Sequence, residues 1–394
     1  MKIISFILIL LFSIFAYGQE ISKIEKKATG QELYFDIYSA FQNKMPKLIA
    51  SQFVEDIEFI PLETTDECLL AESLRDITIT EDDIILYDYN GCYRFDRQGK
   101  FKNRIGKKGN GPGEYVNSLS IMVDAANQWV YMMDYMQKKY VKYDFSGKYL
   151  GDISLDDYIG FDSYVLNPMT FLMENSLYQF APQGERFSLK IVSEKYKRVI
   201  SQMKCEYKGD IPKKLTCDPH VYNFGGDLFV NDYWCDTIYK VVNPFLLESY
   251  AVLDRGKFKY SSSYNDQNLM VDGKGQDVLS IFDLNETNRY FMLTTSQGNA
   301  VIDKRSGQTF VGEFNVKESC VEDDLYGSPG LRGSNLFLRI QGNEYYTFHY
   351  AHEFIEKGNG KHRITDARYN AYRKMVNGLK ADDNPVIMIV KLKK

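Results

Sequence analysis

Hydrophobic residues occur along this chain in short runs that are separated by polar residues, Gly or Asn. The runs are rich in Ile, Val, Tyr and Phe, the residue types that favour β-strands packed on both faces. In one stretch these runs form two consecutive units of four. They are Asp76–Thr80, Ile84–Asp88, Cys92–Asp96 and Lys100–Ile105, then Leu119–Val123, Val130–Asp134, Tyr140–Asp144 and Lys148–Ile153. The pattern predicts two four-stranded antiparallel sheets.

The two units are internal repeats. Asp88 corresponds to Asp134, and Asp96 to Asp144, which gives a period of roughly 46–48 residues, typical of propeller blades. Each third run ends in Asp-x-x-Gly, where Asp starts a turn and Gly takes the left-handed conformation that closes a hairpin. The repeat therefore predicts β-propeller blades.

Further strand-like runs supply about four more units, with a helix-compatible insertion at about 350–383. Radial repetition leaves only short sheet edges. The ring would close if Ile57–Leu62 paired with Val386–Lys391. We predict an all-β fold over residues 57–394: a six-bladed β-propeller of four-stranded antiparallel blades, closed by N- and C-terminal strands in the last blade.

The N-terminal residues 1–18 have the pattern of a secretory signal peptide, with Lys2, an apolar run and the small-residue site Ala16-Tyr17-Gly18. An uncleaved anchor is the alternative. Residues 19–56 would form a leader to the propeller. No Cys lies near the predicted cleavage site, so we expect no lipid anchor. These features predict export to the periplasm or the cell exterior, with no transmembrane segment after cleavage.

Composition and cysteine content narrow the functional classes. A formal net charge of −5 gives no reason to expect a nucleic-acid partner or an anionic membrane surface. The six cysteines contain no C-x-x-C pair, which disfavours a zinc or redox site of that kind. Cys205 and Cys217 flank a short loop and are the candidate disulfide. The alternative is that the cysteines are buried apolar residues.

The glycine-rich stretch Gly106–Tyr115 joins the two units. It lacks the Gly-Lys-Ser/Thr ending of a P-loop and leads into a strand rather than a helix, which disfavours a phosphate site. Its glycines allow the backbone to turn from an outer strand towards the propeller axis. That connection lies at the same face as the turns between second and third strands. We predict a binding site at this mouth of the channel, formed by Tyr89, Asn90, Arg104, Lys107, Lys108, Glu114, Tyr115, Tyr135 and Lys138.

No catalytic set emerges from the remaining motifs. His349-Tyr-Ala-His352-Glu353 does not have the zincin order, and in a strand its two His would point to opposite faces. Acidic groups such as Glu81–Asp83 could hold calcium, but they lack the spacing of a calcium loop. We therefore predict no catalytic residue, metal or cofactor.

Four segments resemble an uncharacterised six-bladed β-propeller family of Bacteroidetes, and more distantly NHL- and TolB-like propellers. They are Phe59–Asp66, Phe95–Lys100, Ile105–Tyr115 and Asn384–Lys393. The Gly-Pro-Gly-Glu-Tyr element is the most specific part. Many members look like lipoproteins, and this chain departs from them because it lacks the acceptor Cys. The resemblance implies a fold and an envelope location but no reaction.

The sequence thus favours a non-catalytic module, monomeric, that binds a polar ligand (a glycan or peptide) or an envelope protein at the channel mouth. The alternative is a metal-assisted hydrolase or lyase acting on glycans within the central channel. Three or more inward-facing carboxylates or His at one mouth would favour the enzyme. A channel lined by Tyr, Arg and Asn would favour binding.

Overall fold

The computed structural model describes residues 21–42, 48–71, 74–134, 136–154, 163–167, 170–174, 185–193, 195, 198–205, 207, 219–258, 278–312, 321–331 and 340–394. These residues form six mainly antiparallel sheets arranged as a six-bladed β-propeller, which confirms the predicted fold class. The predicted signal peptide lies outside the described residues.

The N-terminal segment runs along the outside of the ring before it joins the last blade. It comprises β1 (Ser22–Lys23), β2 (Glu25–Lys27), β3 (Leu33–Asp36), helix α1 (Ile37–Gln42), a 3-10 helix (Ala50–Gln52) and β4 (Val54–Pro61). The strand β1 pairs in parallel with the outer edge of the third blade, and β2 and β3 pair with the outer edge of the fourth. The leader thereby covers two sheet edges that would otherwise be open.

Blades one and two are the two repeats found in the sequence. Blade one contains β5 (Leu74–Ile79), β6 (Asp83–Asp88), β7 (Cys92–Asp96) and β8 (Phe101–Ile105). Blade two contains β9 (Ser118–Asp124), β10 (Trp129–Asp134), β11 (Lys139–Asp144) and β12 (Tyr149–Ser154).

The next three blades follow the same order from the innermost to the outermost strand. Blade three contains β13 (Ser163–Asn167), β14 (Thr170–Glu174), β15 (Phe187–Ser193) and β16 (Arg198–Lys204). Blade four contains β17 (His220–Phe224), β18 (Asp227–Asn231), β19 (Thr237–Asn243) and β20 (Leu246–Asp254), followed by a 3-10 helix (Gly256–Phe258). Blade five contains β21 (Ile281–Glu286), β22 (Tyr290–Thr295), β23 (Gly298–Asp303) and β24 (Thr309–Gly312).

Blade six is built from both ends of the chain. It contains β25 (Ile340–Gln341), β26 (Glu344–His349), β27 (Val386–Leu392) and, as its outermost strand, β4. Ile387 pairs with Ile60 and Val390 with Ile57, which confirms the predicted closure. Helices α2 (Ala351–Lys357) and α3 (Ala367–Gly378) lie between β26 and β27.

The core lies between the blades, with one hydrophobic cluster at each of the six interfaces. Successive side chains of a strand point to opposite faces. Ile84 and Leu86 therefore pack against blade six, while Ile85 and Tyr87 pack against blade two. Burial on both faces explains why the second strands read as continuous apolar runs.

Candidate functional site at the face bearing the glycine loop

The strand order places the glycine-rich connection and two turns at one end of the propeller. Neighbouring strands are antiparallel, so β6 and β8 end on the same side. The turn from β6 to β7 therefore lies at the same end as the connection from β8 to β9. The turn from β10 to β11 is at this end as well.

Asp88, the last residue of β6, holds the blade-one side of this face. Its buried carboxylate accepts hydrogen bonds from the backbone N–H groups of Ala71 (2.6 Å), Asn90 (2.7 Å) and Gly91 (2.9 Å). Burial raises the pKa of this carboxyl group. One carboxylate thus fixes both the segment entering the blade and the predicted site turn.

Asp134 occupies the equivalent position in blade two and accepts hydrogen bonds from the equivalent segments. Its carboxylate accepts from the N–H of Val116 (2.6 Å), which enters the blade, and from that of Gln137 (3.1 Å), which lies in the turn. The correspondence between Asp88 and Asp134 in the sequence therefore reflects a repeated structural role.

Backbone contacts within the glycine loop give it a defined shape. The N–H of Tyr115 donates to the carbonyl of Lys107 (3.1 Å), and that of Gly109 donates to the carbonyl of Tyr115 (3.0 Å). The N–H of Gly111 donates to the Glu114 carboxylate (2.9 Å). Gly106 has φ +71°, and a Cβ there would come within 2.7 Å of the Tyr143 ring. Glycine is needed at this position for both reasons.

Tyr115 was predicted as a ligand contact, but in this structure it is a core residue. Its side chain is 1% exposed and belongs to the cluster between blades one and two, together with Tyr87 and Tyr143. Burial raises the pKa of its hydroxyl group. Tyr115 anchors the end of the loop, and its ring offers no open surface to a ligand.

The loop and the neighbouring turn bring cationic groups to the surface around Tyr89. The guanidinium of Arg75 lies 3.8 Å from the centre of the Tyr89 ring, and the Lys108 amine donates to the Tyr89 carbonyl oxygen. Arg104 donates to the carbonyl of Glu67 (3.0 Å) in the connection that enters blade one. These contacts join three separate segments into one surface.

The remaining predicted residues are distributed around this surface. Lys107 pairs with Glu114 at 3.0 Å, and Asn90 is exposed beside Tyr89. Lys138 is exposed in the blade-two turn, where its φ is +50°. Tyr135 lies outside the described residues. The structure therefore places six of the nine predicted residues in blade one and the glycine loop, namely Tyr89, Asn90, Arg104, Lys107, Lys108 and Glu114, and Lys138 lies at the same end of the propeller in the blade-two turn.

Sequence reasoning missed several apolar and cationic side chains on the same face. Tyr89 is 50% exposed, and Leu69 and Met136, which were not predicted, are 50% and 65% exposed. Arg75 was missed as well. All three missed residues lie in or beside the connections and turns already identified, so extending the search along those segments would have found them. We call the set Leu69, Arg75, Tyr89, Arg104, Lys108, Met136 and Lys138 the mouth surface.

Blade four carries an aromatic pair at the same end of the propeller. Trp234 lies in the turn from β18 to β19, and its ring stacks on Tyr207 with 4.1 Å between centroids. The rule that identified Tyr89, namely its place between a second and a third strand, also identifies Trp234. Trp234 belongs to the fourth unit, whereas the predicted site residues come only from the first two units.

The two histidines of the His349–Glu353 stretch do not converge. His349 ends β26 and is buried, with Nε2 2.9 Å from the Gly330 carbonyl oxygen and Nδ1 3.3 Å from the Glu353 carboxylate. His352 lies in α2 and stacks on Tyr350. In the part of the chain that the structure describes, no group of three or more His, Cys, Asp or Glu could hold a metal ion.

The candidate disulfide stays a prediction. Cys205 is buried and has a free thiol in the structure. Cys217 lies outside the described residues. Burial raises the pKa of the Cys205 thiol to about 11.

The family follows from comparison with known sequences. Residues 33–391 match the model of the family described as "Domain of unknown function (DUF4934)". The chain belongs to the DUF4934 family. This match confirms the resemblance seen in the sequence. Among curated proteins, none matches this chain.

Two solved structures are similar to this chain at low sequence identity. A protein of Bacteroides fragilis NCTC 9343 named "putative exported protein" is 19% identical, with a TM-score of 0.66 over 92% of this chain and 100% of that chain. A member of the DUF4221 family from Bacteroides vulgatus ATCC 8482 is 10% identical, with a TM-score of 0.49 over 86% of this chain and 97% of that chain. At 19% identity the likeness to the Bacteroides fragilis protein shows the fold alone. None of the helices in the described ranges has the length and apolar character needed to cross a membrane.

Proposed function

We propose that this protein is a non-catalytic interaction module that binds an acidic peptide segment at the mouth surface. The observation that carries the proposal is a set of cations that form no salt bridge to a described carboxylate and lie beside exposed apolar side chains. Among the described residues, Arg75, Arg104, Lys108 and Lys138 form no salt bridge. Such a surface attracts anionic partners by charge complementarity, even though the whole chain is acidic.

The apolar members favour a peptide over a sugar as the occupant. Leu69, Tyr89 and Met136 offer area for contact with apolar side chains. Tyr, Met and Arg are enriched at protein interfaces. Met also adapts its shape to a partner at little cost. An acidic peptide with apolar residues would match both the charge and the contact area.

The fixed loop supports binding because less flexibility is lost on association. Asp88 and Asp134 hold both turns, and the Tyr115 ring anchors the glycine loop in the core. Groups that are already positioned contribute more to affinity, since ordering them costs less.

The test is titration of the protein with a fluorescent peptide of alternating Glu and Leu. A peptide of alternating Lys and Leu and the acidic glycan polygalacturonate serve as comparison probes. We expect binding of the Glu-Leu peptide that weakens as salt is raised. Reversing two charges together, Arg104→Glu with Lys108→Glu, should reduce affinity at least about tenfold.

Lys374→Glu is the matched control, since Lys374 is an exposed lysine on α3. It should leave binding unchanged. The proposal fails if the Glu-Leu peptide does not bind in low salt, or if the double variant binds it as the unchanged protein does. Binding of polygalacturonate in preference to the peptide would replace the peptide with an acidic glycan as occupant.

We further infer that the protein acts in the periplasm or outside the cell. The pattern of residues 1–18 supports export, and so does the likeness to a protein with an export-related name. Cell fractionation tests this inference, and recovery of the uncleaved chain in the cytoplasm would contradict it.

A further inference from the structure

A small cavity lies between blades five and six, within the hydrophobic cluster at that interface. Its volume is about 30 Å³. The leader and the connection between the two blades also contribute to its walls. The lining residues are Leu48, Phe53, Met292, Leu293, Thr294, Asn299, Ala300, Val301, Val321, Leu331 and Tyr345.

Strand geometry explains why a polar side chain reaches this apolar interface. In β23, Asn299 and Val301 are two residues apart and so point to the same face. Val301 packs in the cluster between blades five and six, whereas Ala300 and Ile302 pack towards blade four. Asn299 is therefore directed to the blade-six side, where it lines the cavity.

Among the residues that the structure describes, the Asn299 carboxamide has no hydrogen-bond partner. The residue is 5% exposed, and neither its amide oxygen nor its amide nitrogen forms a hydrogen bond to another described residue. Leaving a buried polar group unpaired costs about 1–3 kcal/mol. Buried amides are for this reason almost always bonded to protein or to ordered water.

The cavity has room for the missing partner. A cavity holds one water molecule when roughly 10–15 Å³ is open to the centre of that molecule. The water also needs two or more polar partners. Asn299 supplies both an acceptor and two donors, and Thr294 adds a hydroxyl group to the lining. We infer that this cavity is a binding site for ordered water, held by the Asn299 carboxamide between blades five and six.

A crystal structure at a resolution that shows ordered water tests the inference directly. We expect one or two density peaks in the cavity, within about 3 Å of the Asn299 amide atoms. A second crystal, pressurised with xenon, tests whether the same cavity is dry. Xenon enters dry apolar cavities, so a water-filled site should take up none.

Asn299→Ala is the matched variant, because it removes the amide and leaves a larger apolar cavity. It should lose the water peaks and take up xenon. The inference is overturned if the unchanged protein shows no peak, if its cavity takes up xenon, or if the water persists in Asn299→Ala. Should that variant not fold, the two crystals of the unchanged protein decide the question.

Discussion

Two connections with the same place in the propeller topology have opposite surroundings. The glycine loop, Gly106–Tyr115, lies in the connection from the outermost strand of blade one to the innermost strand of blade two, and much of this loop is exposed. Residues 321–331 belong to the corresponding connection from blade five to blade six, and none of them is exposed. Position in the fold therefore does not decide whether a connection is open to a ligand.

The leader covers part of the second connection. The N–H of Ala50 donates to the carbonyl of Glu322 (2.8 Å), and that of Glu322 donates to the carbonyl of Leu48 (3.1 Å). The hydroxyl group of Ser51 donates to the Asp324 carboxylate (2.7 Å). Leu48, Ala50 and Ser51 of the leader thus lie against this connection.

The helical insertion covers another part of residues 321–331. Arg363 donates to Asp324 (2.5 Å), and the N–H of Gly360 donates to the carbonyl of Gly327 (2.9 Å). Tyr326 packs against Tyr372 of α3. The difference teaches that the leader and the helical insertion cover residues 321–331, whereas much of the connection between blades one and two is exposed.

Removing the carboxylate that organises each connection should give the largest effects. Asp323 accepts from the N–H groups of Leu325 (2.9 Å), Tyr326 (3.1 Å) and Ser328 (3.2 Å). We expect Asp323→Ala to lower the free energy of unfolding by about 3 kcal/mol, and Asp134→Ala, which frees two N–H groups, by about 2 kcal/mol. Urea denaturation measures both. Equal losses of unfolding free energy in the two variants would show that the third hydrogen bond of Asp323 adds no stability to the covered connection.

Substitution of Gly106 tests how rigid the open connection is. We expect Gly106→Ala to cost about 2 kcal/mol, because the left-handed backbone disfavours a side chain and the added Cβ would collide with the Tyr143 ring. Gly30 has the same φ of +71° with nothing within 4 Å, so Gly30→Ala should cost about 1 kcal/mol. Thermal unfolding of the pair provides the measurement. A cost no greater at Gly106 would mean that the loop can shift.

Acid denaturation should distinguish the two connections by their carboxylates. Burial alone would raise the pKa of Asp324, but hydrogen bonds from Ser51 and Arg363 lower it overall. The hydrogen bond from the Gly111 N–H, and then that from Lys107, lower the pKa of Glu114. A folded-state pKa below the unfolded value contributes stability that is present above the unfolded pKa and is lost as pH falls through the folded pKa.

The unfolded reference values are 3.8 for Asp324 and 4.5 for Glu114. We therefore expect Asp324→Asn to reduce the loss of stability below those values more than Glu114→Gln does, since solvent screens the more exposed pair. The measurement is the unfolding free energy of each variant and of the unchanged protein from pH 7 down to pH 3. The comparison breaks if Glu114→Gln has the larger effect.

Removing Lys107 should give the smallest change. Its amine pairs with Glu114 at the surface of the open connection. We expect Lys107→Ala to change the free energy of unfolding by less than about 0.5 kcal/mol, as exposed ion pairs contribute little. The melting temperature provides the check. A loss above about 1 kcal/mol would mean that the loop depends on this pair rather than on its backbone.

Much of the candidate site could be predicted because it depends on strand order. Tyr89, Arg104 and Lys108 were found once the repeat showed which turns share an end. Strand order does not tell which side chains of a connection are buried. Tyr115 lies in a surface connection, yet its ring enters the cluster with Tyr87 and Tyr143.

The sequence by itself determined the blades, their repeat and the closing pair of strands. Alternation within strands and the turn residues at Asp96 and Asp144 are local properties that a single segment carries. Only the tertiary structure decided which connection is covered, that the leader lies along blades three and four, and that Asn299 faces a cavity. Those features depend on contacts between segments far apart in the chain, and no local pattern specifies which distant segment will cover which surface.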